Sequence, residues 1–300
     1  MLHLYPIFLI HEHTVDSDTE KVRIEIYCRE CFSSWLPSNK SVKKAIKTGA
    51  IRVNNEVVST GHWIMPKQKI QLFDLEENPP KPYDMELEII FEDEFLAVIV
   101  KPAGIVVSGN EYRTIQNVIV GKISKSMETD ALSWPRTVHR LDKGTSGLMI
   151  VAKTIKSMMH LSKQFENNQV NKTYQALVKG NTPDSGEWNY LVEGKKADSS
   201  FSKIEMVNSL RNEFISFLEL KPRTGRTHQL RIHCQKAGFP ILGDQIYSDQ
   251  TKKNKGLFLS AIQIEFNHPK TEGKLSFSIN TPAKFKSQLE REKRRWNKFN

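Results

Sequence analysis

The chain has 300 residues and only three cysteines, Cys28, Cys31 and Cys234. So small and odd a number excludes a disulfide framework and fits a reducing compartment. No second C-x-x-C exists to complete a structural zinc site. The spacing of Cys28 and Cys31 therefore predicts two thiols on one helix face, and no metal is expected. Long apolar runs are also missing. Stretches such as Leu96–Val100 and Leu148–Ala152 are about five residues long, against the ~20 that a bilayer requires. No membrane partner is expected. Met1–Ile10 lacks a charged start, an apolar segment and a small-residue cleavage site, so a secretory signal is not expected and a cytoplasmic location is. G-x-x-x-x-G-K-[ST], G-x-G-x-x-G and H-E-x-x-H do not occur, which removes the main support for ATPase, dinucleotide and zinc-protease chemistry. His11-Glu12-His13 lies in a polar stretch and is expected to face solvent. There is no repeat of fixed period and no low-complexity tract.

What is present is a core-forming composition and an uneven charge. Hydrophobic residues make up 38% and charged residues 26%, which excludes a chain disordered throughout. The formal net charge is +10, pointing to a polyanionic partner. Lys21–Leu72 carries ten basic and three acidic residues. Asp74–Glu94 reverses this, with nine acidic residues against Lys81. Within that acidic stretch, Asn78-Pro79-Pro80-Lys81-Pro82 cannot continue a helix or a central strand. The division read from these shifts is a module over 1–75, a Pro-rich acidic linker over 76–84, and a larger domain over 85–300. The tail Lys284–Asn300 has seven basic residues against Glu290 and Glu292. It reads equally as a phosphate-tracking helix or a solvated helical end.

In the small module, Val42, Ala45 and Ile46 fall at helical offsets, and Thr48-Gly49 ends the helix. Ala50–Val53 and Glu56–Val58 read as strands joined at Asn54-Asn55. Lys40, Lys43, Lys44 and Lys47 decorate the helix. In the larger domain, Leu87–Phe91 and Phe95–Val100 predict a hairpin. Leu148–Ala152, Thr173–Val178, Glu213–Leu220, Leu257–Phe266 and Leu275–Asn280 read as further strands. Helices are predicted over Thr114–Ile123, over Thr154–Asn167 with Thr154 as N-cap, and over His228–Ala237. Many strands and few intervening helices imply an α+β domain with a mixed, largely antiparallel sheet.

Two segments carry candidate chemistry. Val138-His139-Arg140-Leu141-Asp142-Lys143-Gly144-Thr145-Ser146-Gly147 packs ionisable groups and glycines just before an apolar run. Its Asp142 fits a turn residue bonding its own backbone. His139, Asp142 and Ser146 also admit a hydrolase triad, although no G-x-S-x-G elbow is present. Lys221–His233 has four basic residues and no acidic one. Arg231, between Leu230 and Ile232, needs a carboxylate if buried, and Asp142 is a candidate.

Together these segments resemble the RluA-type pseudouridine synthases over nearly the whole larger domain. The resemblance rests on Lys101-Pro102-Ala103-Gly104, His139-Arg140-Leu141-Asp142 with Thr145-Ser146-Gly147, Lys172-Thr173-Tyr174, Thr224–Arg231 and Pro240–Asp244. One departure is Ser260, where the family commonly has His. Leu36–Leu72 resembles the S4 RNA-binding domain, a small α/β module, without the usual Arg-Leu-Asp opening and with Gln68-Lys69 in place of Gly-Asp. The resemblance implies an isomerase acting on uridines in ribosomal or transfer RNA, with no cofactor. It assigns the catalytic carboxylate to Asp142, as nucleophile or base at the ribose. It implies that Tyr174 stacks on a flipped uracil and that Arg231 pairs with Asp142 and keeps it ionised. Arg140, His139, Leu230, Arg226 and His228 are implied at the substrate, and Lys43, Lys44, Lys47 and Arg52 at the RNA. A monomer is the default expectation. The alternatives are an RNA-binding protein without an active site and a hydrolase using Asp142 or Ser146.

Overall fold

The structure is a computed structural model that describes residues 8–32, 36, 38–74, 80–248 and 256–300. It divides into two compact units: Met1–Pro79 with Thr129–Ser133, and Pro80–Glu128 with Trp134–Asn300. The expected linker falls partly outside the described residues. Its later part, with Tyr83, lies against the core of the second unit, and Tyr83 N donates to Asn117 O at 3.1 Å.

The first unit contains β1 (Phe8–Thr14), β2 (Val22–Arg23), α1 (Ile24–Cys31), α2 (Asn39–Lys47), β3 (Ile51–Val53), β4 (Glu56–Val57), β5 (Trp63–Ile64) and β6 (Lys69–Asp74). Helix α2 starts at a capping box, where Ser38 Oγ accepts from Ser41 N and Ser41 Oγ accepts from Ser38 N, both at 3.1 Å. Val42, Ala45 and Ile46 on one face of α2 pack with Ile24, Cys28 and Phe32 over the β1-β6-β3-β4 sheet. Asn54 and Asn55 turn the β3–β4 hairpin at φ of 51° and 70°. The expectation for His11-Glu12-His13 is corrected. These residues lie inside β1, where strand alternation half-buries both histidines. His13 Nε2 bonds the Tyr27 hydroxyl at 2.9 Å.

The second unit contains β7 (Glu88–Glu92), β8 (Leu96–Lys101), α3 (Ile115–Ile119), all but the first three residues of β9 (Ala131–Thr137), β10 (Ser146–Thr154), α4 (Ile155–Glu166), β11 (Asn171–Lys179), β12 (Ser185–Trp188), β13 (Ser199–Ser209), β14 (Glu213–Pro222), α5 (Gln229–Lys236), β15 (Leu259–Asn267), β16 (Lys274–Ser278) and α6 (Ala283–Phe299). The sheet runs β12-β13-β14-β11-β15-β10-β8-β7, with β16 on β15 and β9 on β10. The β10–β15 pair is parallel, and the other registered pairs are antiparallel. The α+β class with a mixed, largely antiparallel sheet therefore stands. Thr154 caps α4 through Ser157 N at 3.1 Å. Helix α3 is shorter than its apolar spacing predicts, because the helical run stops before Gly121.

Two antiparallel half-sheets meet at the parallel β10–β15 contact, and Gly147 makes that meeting possible. Its φ is +120°, and a β-carbon there would sit 2.6 Å from Ala261 N and overlap the Ala261 carbonyl. One core lies beneath each half, around Leu218 and Phe258 on one side and Ile99 and Ile119 on the other. Gly147→Ala is expected to lower unfolding stability by at least about 2 kcal/mol, from strained φ and backbone overlap together. Urea titration followed by circular dichroism measures it.

Candidate active site

The segment Val138–Thr145 joins β9 to β10 and carries Asp142. Buried Leu141 anchors it in the core, and Thr145 N donates to Asp142 O at 3.0 Å to close a turn. Lys101, at the end of β8, clamps the turn from beneath. It is 0% exposed, and its Nζ donates to the carbonyls of Thr145 at 2.8 Å, Pro102 at 2.9 Å and Lys143 at 3.4 Å. Burial pulls its pKa down to about 8, opposed by the charge of Asp142.

Arg231 comes from the first turn of α5, at the far end of the loop after β14. Gln229 braces that loop. Its Oε1 accepts from Thr224 Oγ1 at 2.7 Å and Arg226 N at 3.0 Å, while its Nε2 donates to Asp198 O and Ser199 Oγ, each at 2.9 Å. The Arg231 fork is bidentate to Asp244, with Nε and Nη2 each 2.8 Å from a carboxylate oxygen. The remaining Nη1 donates to Asp142 Oδ2 at 3.2 Å. Burial opposes the arginine's charge, yet the bonds and charges of Asp244, then of Asp142, outweigh it and push its pKa up. Asp244 is 1% exposed. Burial works against its ionised form too, but Arg231 and the N–H groups of Ile246 and Tyr247 hold its pKa below the ordinary value. His228 occupies the left-handed region at φ 56°, directly before α5. Its Nε2 reaches to 3.6 Å from Asp142 Oδ1, and its Nδ1 bonds the Tyr247 hydroxyl at 3.0 Å.

Tyr174 enters from β11 at an irregularity in the β11–β15 register between Thr173 and Tyr174. Burial, then the charge of Asp142, pushes its phenol above the ordinary value, so the ring is uncharged at neutral pH. His139 stacks on Phe165, ring centroids 4.4 Å apart, and its Nε2 accepts from Ile150 N at 3.0 Å. That bond places the imidazole proton on Nδ1. Burial, then the charge of Lys172, lowers the His139 pKa to about 3.

A cavity of about 290 Å³ brings these groups together. Asp142, Tyr174, Arg231, Arg140, His139, Leu230, Arg226 and His228 all line it. Leu230 and Leu259 supply buried apolar walls, and Arg140 and Arg226 are exposed. The hydrolase triad is not assembled. Ser146 Oγ donates to Ser260 Oγ at 3.0 Å and lines a different cavity, while His139 Nε2 is engaged by backbone. Lys43, Lys44 and Lys47 belong to the first unit, where they line one groove along α2 with Lys40. Lys43 pairs with Glu25 at 3.3 Å. Arg52 Nε donates to Gly49 O at 3.3 Å, with its guanidinium 4.8 Å from the Phe73 centroid. Sequence reasoning quoted Lys101, Lys172 and Asp244 within motif segments but gave them no role in the site, and it did not reach Phe165 or Tyr247. The signal for Asp244 was the buried arginine itself, whose fork has more donors than Asp142 alone can satisfy.

The family model for RNA pseudouridylate synthases matches residues 96–236. A ribosomal large subunit pseudouridine synthase D of Buchnera aphidicola subsp. Schizaphis graminum is 30% identical, covering 88% of this chain and 89% of its own. The chain belongs to the RNA pseudouridylate synthase family. A ribosomal large subunit pseudouridine synthase C of Pasteurella multocida is 32% identical over 90% of this chain and 89% of its own. Among solved structures, Human RNA Pseudouridylate Synthase Domain Containing 4 is 25% identical, covers 68% of this chain and 92% of its own, and has a TM-score of 0.55. Human RNA Pseudouridylate Synthase Domain Containing 1, at 22% identity, covers 67% and 86% with a TM-score of 0.56 and shares the fold. The protein is thus an isomerase of the pseudouridine synthase type.

His139 gives this synthase an acid sensitivity of defined sign. Between its folded pKa of about 3 and its ordinary 6.5, the unfolded chain binds the extra proton. Stability is therefore lost as pH falls through that window. From pH 6.5 to 4.5 the wild-type protein is expected to lose about 2 kcal/mol more than His139→Gln. Urea melts at both pH values measure the difference.

Proposed function

We propose that this pseudouridine synthase isomerises uridines in structured ribosomal RNA, with Asp142 as the catalytic carboxylate. The observation that carries the reading is the position of Asp142. It lies in a cavity with Tyr174 and Leu230, held by Arg231 Nη1 through one oxygen. The reaction breaks the N1–C1′ bond, turns the uracil, and forms a C5–C1′ bond, with the C5 proton lost and a proton taken up at N1. No electrons enter or leave, so the balance calls for no cofactor. A carboxylate beside the ribose suits either attack at C1′ or removal of a ribose proton. The glycosidic bond of a stacked base is out of reach, so the target nucleotide flips into the cavity. There the uncharged Tyr174 ring stacks on the uracil and Leu230 forms an apolar wall. Arg140, at the exposed rim, contacts phosphate or fills the vacated stack. Arg226 and His228 face the nucleotide from the opposite segment, and His139 supports the wall.

In the same reading, residues 1–75 form an S4-like RNA-binding domain that grips phosphates along α2 through Lys43, Lys44 and Lys47, with Arg52 beside them. Two large-subunit enzymes among the relatives favour ribosomal over transfer RNA as substrate. Among the described residues no helix is long and apolar enough to cross a membrane. We place the enzyme in the cytoplasm, acting as a monomer.

Asp142→Asn is nearly isosteric and is expected to fold and to bind RNA within about threefold of wild type. It is expected to release less than about 1% of the wild-type tritium from 5-tritiated uridine in a large-subunit ribosomal RNA transcript, in line with loss of a nucleophile or base. Full tritium release by Asp142→Asn overturns the assignment. Binding without release by the wild-type protein supports an RNA-binding role alone.

A further inference from the structure

Beside the catalytic cavity lies a second groove, of about 610 Å³, lined by Asn168, Asn171, Lys172, Thr173, Ser200 and Arg223 among others. Lys172 and Pro222 line both spaces, so the two adjoin at Lys172. Lys172 and Tyr174 are two residues apart on β11, and both line the catalytic cavity. The other charged groups of the groove are already paired. Lys221 meets Glu219 at 2.7 Å, Arg223 meets Glu187 at 2.6 Å, and Glu265 meets Lys274 at 3.2 Å. Glu265 also accepts from Asn171 Nδ2 at 3.3 Å. Among the described residues, Lys172 has no carboxylate within ion-pair distance. Its Nζ lies over the Phe165 ring, 5.9 Å from the centroid.

Lys172 is half-buried at the junction of two open spaces and has no counter-ion there, an arrangement that favours an incoming anion. Burial lowers its pKa, and its charge in turn helps keep His139 neutral. An anion arriving at the junction would offset that burial. We propose that Lys172 binds a backbone phosphate of the substrate RNA next to the flipped uridine, and that the strand continues from the catalytic cavity into the Asn168–Asn171–Ser200 groove. The amides and hydroxyl there offer hydrogen bonds to the sugar or base edge of a neighbouring nucleotide. Glu265 sets the groove's limit, since a phosphate placed deeper would meet its charge. The inference rests on the RNA-modifying reading above.

The test uses the full chain with Lys172→Met and Lys172→Arg, and a fluorescein-labelled RNA hairpin with uridines in its loop. Removing one lysine–phosphate pair lowers the slope of log affinity against log salt by about 0.7–0.9. Lys172→Met is expected to show that decrease and Lys172→Arg to retain the wild-type slope. In the tritium-release reaction, Lys172→Met is expected to raise KM roughly tenfold or more, the value of one charge-assisted hydrogen bond, with kcat changed less. A neutral methylphosphonate at one linkage flanking the target is expected to weaken wild-type binding and leave Lys172→Met binding unchanged. An unaltered salt slope in a folded Lys172→Met protein overturns the phosphate pairing, whether or not the chain makes pseudouridine. Equal weakening of both proteins at every flanking linkage also overturns it. Normal binding and salt slopes without tritium release count against the catalytic reading alone.

Discussion

A guanidinium cannot be buried without partners, and the second unit is arranged around the burial of Arg231. Its fork presents donors in a fixed plane, which a single carboxylate cannot saturate. Asp244 takes the bidentate edge, through Nε and Nη2. Only Nη1 is left for Asp142. This division has a chemical consequence. Asp244 neutralises and orients the arginine, so Asp142 is restrained through one oxygen. Its other oxygen faces His228 at 3.6 Å. A carboxylate with both oxygens locked in a fork would be a poor nucleophile or base; one held at a single oxygen keeps a lone pair for the substrate. Gln229, the left-handed His228 and the Lys101 clamp serve this arrangement by holding the two loops that must meet.

The sheet explains why those loops meet. The antiparallel halves join at the short parallel contact of Ser146 and Gly147 with Ser260 and Ala261. Asp142 precedes the first strand of that pair. Tyr174 comes from β11, which flanks the second. The close approach at Gly147 brings the turn at Asp142 near β11, and the register irregularity beside Tyr174 aims the ring into the cavity between them. The side chains proposed to be catalytic thus come from both halves. This gives a physical reason for Gly at the end of the Asp142 segment, since any side chain would wedge the halves apart.

Much of this was legible in sequence, for identifiable reasons. Periodicity marked α2, α4, β10 and β14 because each buries one face or is buried entirely. Arg231 invited a search for a carboxylate because it sits between Leu230 and Ile232. Asp244 was less visible, since a Gly-Asp pair after an apolar run reads as a turn, and its role depends on a contact across the loop following α5. Strand β9 was missed because Pro135 lies within it, and β13 because its serines, lysine and glutamate leave too few apolar residues to mark a strand. His11 and His13 were expected outside because polarity was read without the strand alternation that turns them inward. Lys101 and Lys172 belong to a third kind. Both stand in quoted motif segments, but how far a lysine is covered is decided by the elements that close over it, and no local pattern shows that.

The site's charges are layered, and the layering fits the proposed substrate. Asp142 lines the cavity and shares one arginine with the buried Asp244 behind it, with the charge of Lys101 beneath the turn, so the negative charge nearest the place proposed for the ribose is that of the Asp142 carboxylate. Electron deficiency at C1′ as the glycosidic bond breaks would meet that negative charge directly. The walls are uncharged, with Tyr174, Leu230, Leu259 and a neutral His139, which suits uracil, itself neutral. The rim is positive, with Arg140, Arg226 and Lys172. An enzyme acting on free uridine would have no use for that outer layer. One acting within a polyanionic strand needs it on at least one side of the flipped nucleotide, because unstacking the base brings its two flanking phosphates up to the protein. The +10 of the whole chain is therefore less informative than the order in which charge is met from rim to floor.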